Sequence, residues 1–341
     1  MTFSEKFGQF HNKNYKKLLI IPIILIVLSL AYIGYFWYVN GDFIKRDITL
    51  TGGTSITIFS DQEINIQELR DFLSGKMDDF AIRELSDFRT AKQKAVIVES
   101  PSDVTELKGY LEEFLDYELD SENSSVESTG SSLGEGFYKQ LLYAIVLSFS
   151  FMAIVVFFIF GGSLRLKLLM ILITFIPVIL FFSRAISIEI AIFANIIILI
   201  ISVFIYFKKS VPSAAVVLSA FADIVMTLAL VDFLGIKVSS AGIIAFLMLI
   251  GYSVDSDIML TTRLLKRHDE KRLYNAFKTG ITMTLTSIIA ITAALIITQS
   301  FSEVLKQIFT VLLIGLAFDI LNTWITNASI LKWYLEAKHK E

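Results

Sequence analysis

GYSVDSDIML, residues 251–260, follows the apolar run AGIIAFLMLI (241–250) and leads into Thr261, Thr262 and Arg263. Asp255 and Asp257 therefore sit near one end of what reads as a membrane-spanning helix. A charged side chain at the centre of a bilayer costs at least about 2.5–3.5 kcal/mol, so two carboxylates within three residues call for a reason. Residues two apart on a helix differ by roughly 200° in azimuth. Gly251 falls with Asp255, whereas Ser253 and Thr261 fall with Asp257. On a regular helix one carboxylate faces the bundle interior while the other caps backbone or meets the headgroups.

Similar apolar runs lie on both sides of this stretch. Spans are expected at Leu18–Val39, Leu141–Phe160, Leu168–Phe182, Ile188–Phe207, Val211–Val231, Val238–Thr262, Ile281–Thr298 and Val304–Leu331. The run Leu168–Phe182 is short for a span, which suggests a re-entrant or tilted element. The first run follows Lys13, Lys16 and Lys17 and ends in Tyr35, Phe36, Trp37 and Tyr38 rather than in a small-residue cleavage site, so it reads as a retained signal anchor. The whole composition agrees: 341 residues, 55% hydrophobic, 29 phenylalanines and a mean hydropathy of +0.66 are those of a multi-spanning membrane protein. The absence of cysteine excludes disulfides and thiolate metal sites, and three scattered histidines argue against a metal centre. No cofactor and no catalytic residue is expected.

Residues 40–136 differ in kind. They hold 9 Lys/Arg against 21 Asp/Glu, a net charge of −12, and show alternating and amphipathic patterns. Thr54–Phe59, Ala81–Phe88, Ala95–Glu99 and, more weakly, Ser125–Thr129 read as strands. Ile64–Leu73 and Asp103–Leu115 read as helices, with Asn65 and Ser102 as N-caps. The order βαββαβ predicts a water-facing, ferredoxin-like head. Thr51-Gly52-Gly53-Thr54 lacks the spacing and lysine of a phosphate loop and reads as a turn entering the first strand.

Eight spans put both termini on one side. That side gathers seventeen lysines and arginines, against Arg184, Lys237 and Lys306 in the short loops of the other. The positive-inside rule makes the termini cytoplasmic and the acidic head extracytoplasmic. The chain then divides into a cytoplasmic segment (1–17), a first span (18–39), the head (40–136), a second span (137–160), a hairpin (161–210), core spans (211–335) and a cytoplasmic tail (336–341). Phe3, Phe7 and Phe10 predict an interfacial N-terminal helix, and Leu273, Tyr274 and Phe277 a similar surface on the cytoplasmic loop.

Two further aspartates are intramembrane. Asp223 lies about 12 residues, roughly 18 Å, from the inner end of its span, and Asp319 lies at a depth similar to Asp255. No basic residue falls within the apolar part of any span to neutralise them. A carboxylate held away from water without a cation is expected to cycle between protonated and charged forms. Each proton crossing gives about 2.3 kcal/mol per 100 mV. Asp257 also admits an interfacial reading beside Arg263 and Lys266, and Asp319 a structural one through Asn322 or Thr323. Thr279, Thr282 and Thr286 continue into Ala290, Ala293 and Ala294 as one small, polar stripe, either a helix-packing surface or a hydroxyl-lined water path.

The pieces ITLTGGTSITI (48–58), TGSSLGEGF (129–137), VPSAAVVLSAFADIVMTLAL (211–230), GIIAFLMLIGYSVDSDIMLTTRLLK (242–266) and KTGITMTLTSIIA (278–290), in that order, resemble the SecF family of protein-export membrane proteins. That family belongs to the resistance-nodulation-division (RND) superfamily of proton-driven transporters. Val-Asp-Ser-Asp, and Asp319 followed by Asn322 and Thr323, are similar to its archaeal branch. The resemblance implies an RND-like half-transporter with an α+β head, not an enzyme. It would be an accessory subunit of the Sec translocase in the cell membrane, promoting polypeptide export. The partners it implies are a SecD-like subunit, a SecYE-type translocon, the exported polypeptide and membrane lipid, with no nucleic acid. It also implies proton-carrying carboxylates, with Asp223 matching the aspartate of the family's third span. Around Gly251, Tyr252 and Ser253 the bacterial pattern is Gly-Tyr-Ser-x-Asn-Asp, whose aspartate aligns with Ser256, so either Asp255 or Asp257 inherits its role. The bacterial fifth-span arginine falls near Thr282 and has no counterpart. The family has six spans, so residues 161–210 read as an inserted pair. Two other functions fit the residues: a non-transporting membrane chaperone or assembly factor, and an RND-type exporter of lipid or small hydrophobic molecules.

Overall fold

The computed structural model describes residues 13–60, 63–77, 79–87, 90, 92–266, 270–298 and 302–338. The stretch bearing Phe3, Phe7 and Phe10 lies outside the described residues, as do the side chains of Leu273 and Tyr274. Eight helices among the described residues are long and apolar enough to cross a membrane. The first contains α1 (Ile20–Asn40), which Gly41 ends in a left-handed cap, its N–H donating to the Trp37 carbonyl.

The head follows. A one-turn helix, α2 (Ile48–Thr51), leads into β1 (Gly53–Phe59), α3 (Ile66–Ser74), β2 (Ala81–Ser86), β3 (Gln93–Ser100), α4 (Val104–Leu115) and β4 (Ser124–Thr129). The sheet is antiparallel in the order β2-β3-β1-β4, with Ile56 opposite both Val98 and Val126. This is the βαββαβ arrangement that the alternating pattern predicts. Ile56, Ile58, Val96 and Val98 on one sheet face pack against Leu69, Leu73, Leu107 and Leu111 of the two helices. The Asn65 side chain caps α3, accepting from the Gln67 and Glu68 amides. The expected Ser102 cap is corrected: Asp103 occupies the position before α4, and the Ser102 carbonyl accepts from Thr54 Oγ1 at 2.8 Å instead.

The remaining spans are α5 (Ser131–Phe160), α6 (Leu164–Phe182), α7 (Ile188–Lys209), α8 (Val211–Phe233), α9 (Ser240–Lys266), α10 (Glu270–Thr298) and α11 (Glu303–Leu321). A π turn, Asn322–Asn327, and α12 (Ala328–Lys338) continue α11 without a break. α6 starts four residues before its apolar run and has 19 residues, about 28 Å of helix. Length alone therefore gives no cause to treat it as re-entrant. α8 is buried over most of its length, whereas α1 and α10 are largely exposed. The α6–α7 hairpin lies against α5 and α8, where Phe157 and Tyr206 stack at 4.4 Å.

The head is seated on the bundle through backbone. Asp47 N–H donates to the Val238 carbonyl and Val238 N–H to the Lys45 carbonyl, a parallel bridge between the linker after α1 and the loop between α8 and α9. The Gly52-Gly53 turn needs glycine twice over. Both residues have positive φ, and a Cβ on Gly52 would lie 2.4 Å from the Ser131 Cα.

Candidate functional site

α8 and α9 each carry a serine four residues before an aspartate, Ser219 and Asp223 on the first, Ser253 and Asp257 on the second. Four residues is about one turn, so each pair shares a helix face. The helices meet on these faces and the pairs exchange hydrogen bonds. Ser253 Oγ donates to Asp223 Oδ2 at 2.5 Å, and Ser219 Oγ donates to Asp257 Oδ1 at 3.3 Å. α11 brings a third carboxylate, Asp319, whose Oδ1 accepts from Thr323 at 3.1 Å; Ser253 and Thr284 face it as well. Asp223, Asp257 and Asp319 are 0%, 0% and 1% exposed.

The π turn supplies the amides. Asn322 Nδ2 donates to Asp223 Oδ1 at 2.7 Å, and Asn327 Nδ2 donates to Asp257 Oδ1 at 2.8 Å. The donors around the cluster are hydroxyls and amides only. Among the described residues no ion pair includes any of the three aspartates. Three carboxyl groups buried side by side disfavour one another's charged forms where no cation is at hand. The arrangement is suited to holding and passing protons.

The sequence-derived candidates separate in space. Asp257, which admitted an interfacial reading, is inside with Ser253 and Thr261, and Ser256 is buried as well. Asp255 is exposed on the opposite face together with Gly251 and Tyr252, the last 42% exposed. Of the two carboxylates between which the sequence left the choice open, it is Asp257 that joins Asp223: depth along a helix does not fix azimuth, and α8 and α11 lie on the Asp257 side. Thr282 and Thr286 point away from the cluster and donate to the Lys278 and Thr282 carbonyls of their own helix. Thr282, Thr286, Ala290 and Ala293 of their stripe are exposed, Thr279 accepts from Arg263 Nη1 of α9 at 3.0 Å, and Thr284 faces the site instead. Phe277 is not an interfacial residue but is buried against Trp324, edge-on at 5.0 Å. Ser219 and Asn327 were not singled out from sequence. The repeated Ser-x-x-x-Asp spacing, SAFAD at 219–223 and SVDSD at 253–257, carries the signal for the first.

A second carboxylate cluster lies where the head meets the bundle. Arg83 on β2 hydrogen-bonds Glu99 on β3 and lies 3.7 Å from both Asp47 and Glu303, the first residue of α11. Burial, then the nearby Glu99 charge, push the Asp47 carboxyl above the usual carboxylate range against the pull of Arg83. Burial alone would lower the Arg83 guanidinium, but the Glu99 bond and the surrounding acids hold it above its ordinary value.

The fold defines a multi-spanning α-helical membrane protein with an α+β head, and its bundle buries a carboxylate cluster. A family model described as protein export membrane protein SecD/SecF, C-terminal, matches residues 182–337. The protein-export membrane protein SecF of Methanocaldococcus jannaschii is 36% identical over 331 residues, covering 95% of this chain and 96% of that protein. The SecF of Pyrococcus furiosus is 32% identical over 326 residues, covering 94% and 91%. The chain belongs to the SecF family. A crystal structure of SecDF, a translocon-associated membrane protein from Thermus, matches with a TM-score of 0.61 at 17% identity, over 98% of this chain. The chain spans 40% of the length of that structure, and this likeness concerns the fold alone.

Proposed function

We propose that the chain is an accessory subunit of the Sec translocase that uses the proton gradient to promote polypeptide export across the cell membrane. Asp223, Asp257 and Asp319 carry the protons, while Ser219, Ser253, Thr284 and Thr323 hold them in place. One observation supports this above the others: three buried carboxyl groups converge, and among the described residues no fixed positive charge lies with them. A cluster that only held helices together would gain from neutral polar groups and would not need repeated acids. The basic residues beside the spans orient the termini to the cytoplasm and the head outward.

The reading includes a SecD-like partner, with which the chain serves a SecYE-type translocon. Asp255 favours a partner of this kind, because an exposed carboxylate at membrane depth is costly against lipid and is relieved by a second helical protein. The test is secretion in cells carrying Asp223→Asn, followed by pulse labelling with and without an uncoupler. Secretion is expected to fall to the level of uncoupled wild-type cells and to lose further sensitivity. Wild-type secretion with wild-type uncoupler sensitivity would exclude the proton reading.

A further inference from the structure

The π turn Asn322–Asn327 interrupts an otherwise continuous helix next to the three carboxylates. On a regular α-helix two residues five apart diverge by about 140°. Asn322 and Asn327 would then face different neighbours, and at most one amide would reach the cluster. In a π turn the backbone bonds run from i to i+5, which brings the fifth residue beneath the first. Asn322 accordingly meets Asp223 of α8 while Asn327 meets Asp257 of α9. The register is locked from the other side. Trp324, inside the turn, lies over Gly280 of α10, where a Cβ would come within 2.3 Å of its ring.

The two amides are used differently. Asn322 is saturated: its Oδ1 accepts from Thr326 at 3.0 Å, and both oxygens of its partner Asp223 accept hydrogen bonds. Asn327 also donates to Thr261 Oγ1 at 3.3 Å, yet its Oδ1 is buried without a partner, as is Asp257 Oδ2. A charged carboxylate can only accept. The Asn327 donor therefore serves the charged form of Asp257.

We propose that Asn322 and Asn327 are positioning residues, placed by the π turn, that set the pH at which Asp223 and Asp257 respectively exchange protons. This rests on the proton-carrying reading of the cluster, and the groups facing the two aspartates are Asp319, Ser219, Ser253 and Thr323. Among the described residues no lysine, arginine or histidine contributes.

The test is an infrared titration of the protonated-carboxyl stretch in the purified full chain, with Asp223→Asn and Asp257→Asn assigning the bands. Asn327→Ala is expected to move the Asp257 midpoint up by about one pH unit, the scale of one hydrogen bond to a charged group, and to move the Asp223 band, coupled to it only through charge, by clearly less. Asn322→Ala should do the converse. Asn327→Ser and Asn322→Ser, which are too short to reach, give the same shifts if an alanine variant fails to fold. Equal movement of both bands, or no movement, overturns the assignment. Because the readout is protonation and not transport, a chain that proves not to be proton-driven still decides this question.

Discussion

The two ends of α11 carry two carboxylate clusters of opposite design, about 24 Å apart along the helix. At the outer end Glu303 joins Asp47 and Glu99 around Arg83. At the inner end Asp319 joins Asp223 and Asp257 with hydroxyls and amides alone. Each cluster has three acids, and only one has a cation. A guanidinium favours the charged form of its partners and ties three elements together. Its absence leaves the inner acids without that preference. The outer cluster is a joint between head and bundle, and the inner one is the site to which proton carrying is proposed to belong.

The largest effect that would break this contrast lies within α9. Asp257→Asn should lower gradient-driven secretion at least roughly tenfold, the scale of losing one charge-assisted contact. Asp255→Asn should keep the uncoupler response and weaken recovery of the partner on detergent extraction. Secretion assays with partner co-purification separate the two, and the reverse ranking would return the role to Asp255.

Next in size is the outer joint. Arg83→Ala takes the guanidinium from Asp47 and Glu99, while Glu303 keeps Lys306 at 3.1 Å; it should cost about 3 kcal/mol in thermal unfolding of the purified chain, since breaking a largely buried pair strands charge. Glu303→Ala removes one acid of three and should cost less than about 1 kcal/mol. Equal losses would mean that Arg83 is not the centre of the joint.

The smallest effect concerns pH. The raised Asp47 carboxyl means that charging it works against the fold. Its contribution is therefore most favourable below the ordinary carboxylate range and is lost as pH rises through its folded value. Asp47→Asn should match or exceed wild-type stability near neutral pH, by less than about 1 kcal/mol, with the gap closing toward pH 4. Denaturation at both pH values measures it, and a variant less stable at neutral pH would show that Arg83 outweighs Glu99 there.

Most of the architecture is legible in the residues because lipid and water impose different compositions. Leu18–Val39 and the later apolar runs become helices because backbone in a bilayer must satisfy itself. The alternation in Thr54–Phe59 becomes β1 because one sheet face is buried under α3 and α4. Asn65 announces its cap through local chemistry alone. The site is less legible. Helical geometry puts Asp255 and Asp257 on opposite faces, but nothing local says which face turns inward. Arg83 gives no sign of Glu303, 220 residues away.

By itself, then, the sequence determined the eight spans, the acidic head, the order of its strands and the presence of carboxylates where charge is costly. These follow from the polarity of each residue and its spacing to near neighbours. Tertiary structure alone decided that Asp257 joins Asp223 and Asp319, that Arg83 gathers the outer acids, and that a π turn delivers Asn322 and Asn327. Each of these depends on how distant helices are rotated against one another, and packing sets that rotation only once the whole bundle is assembled.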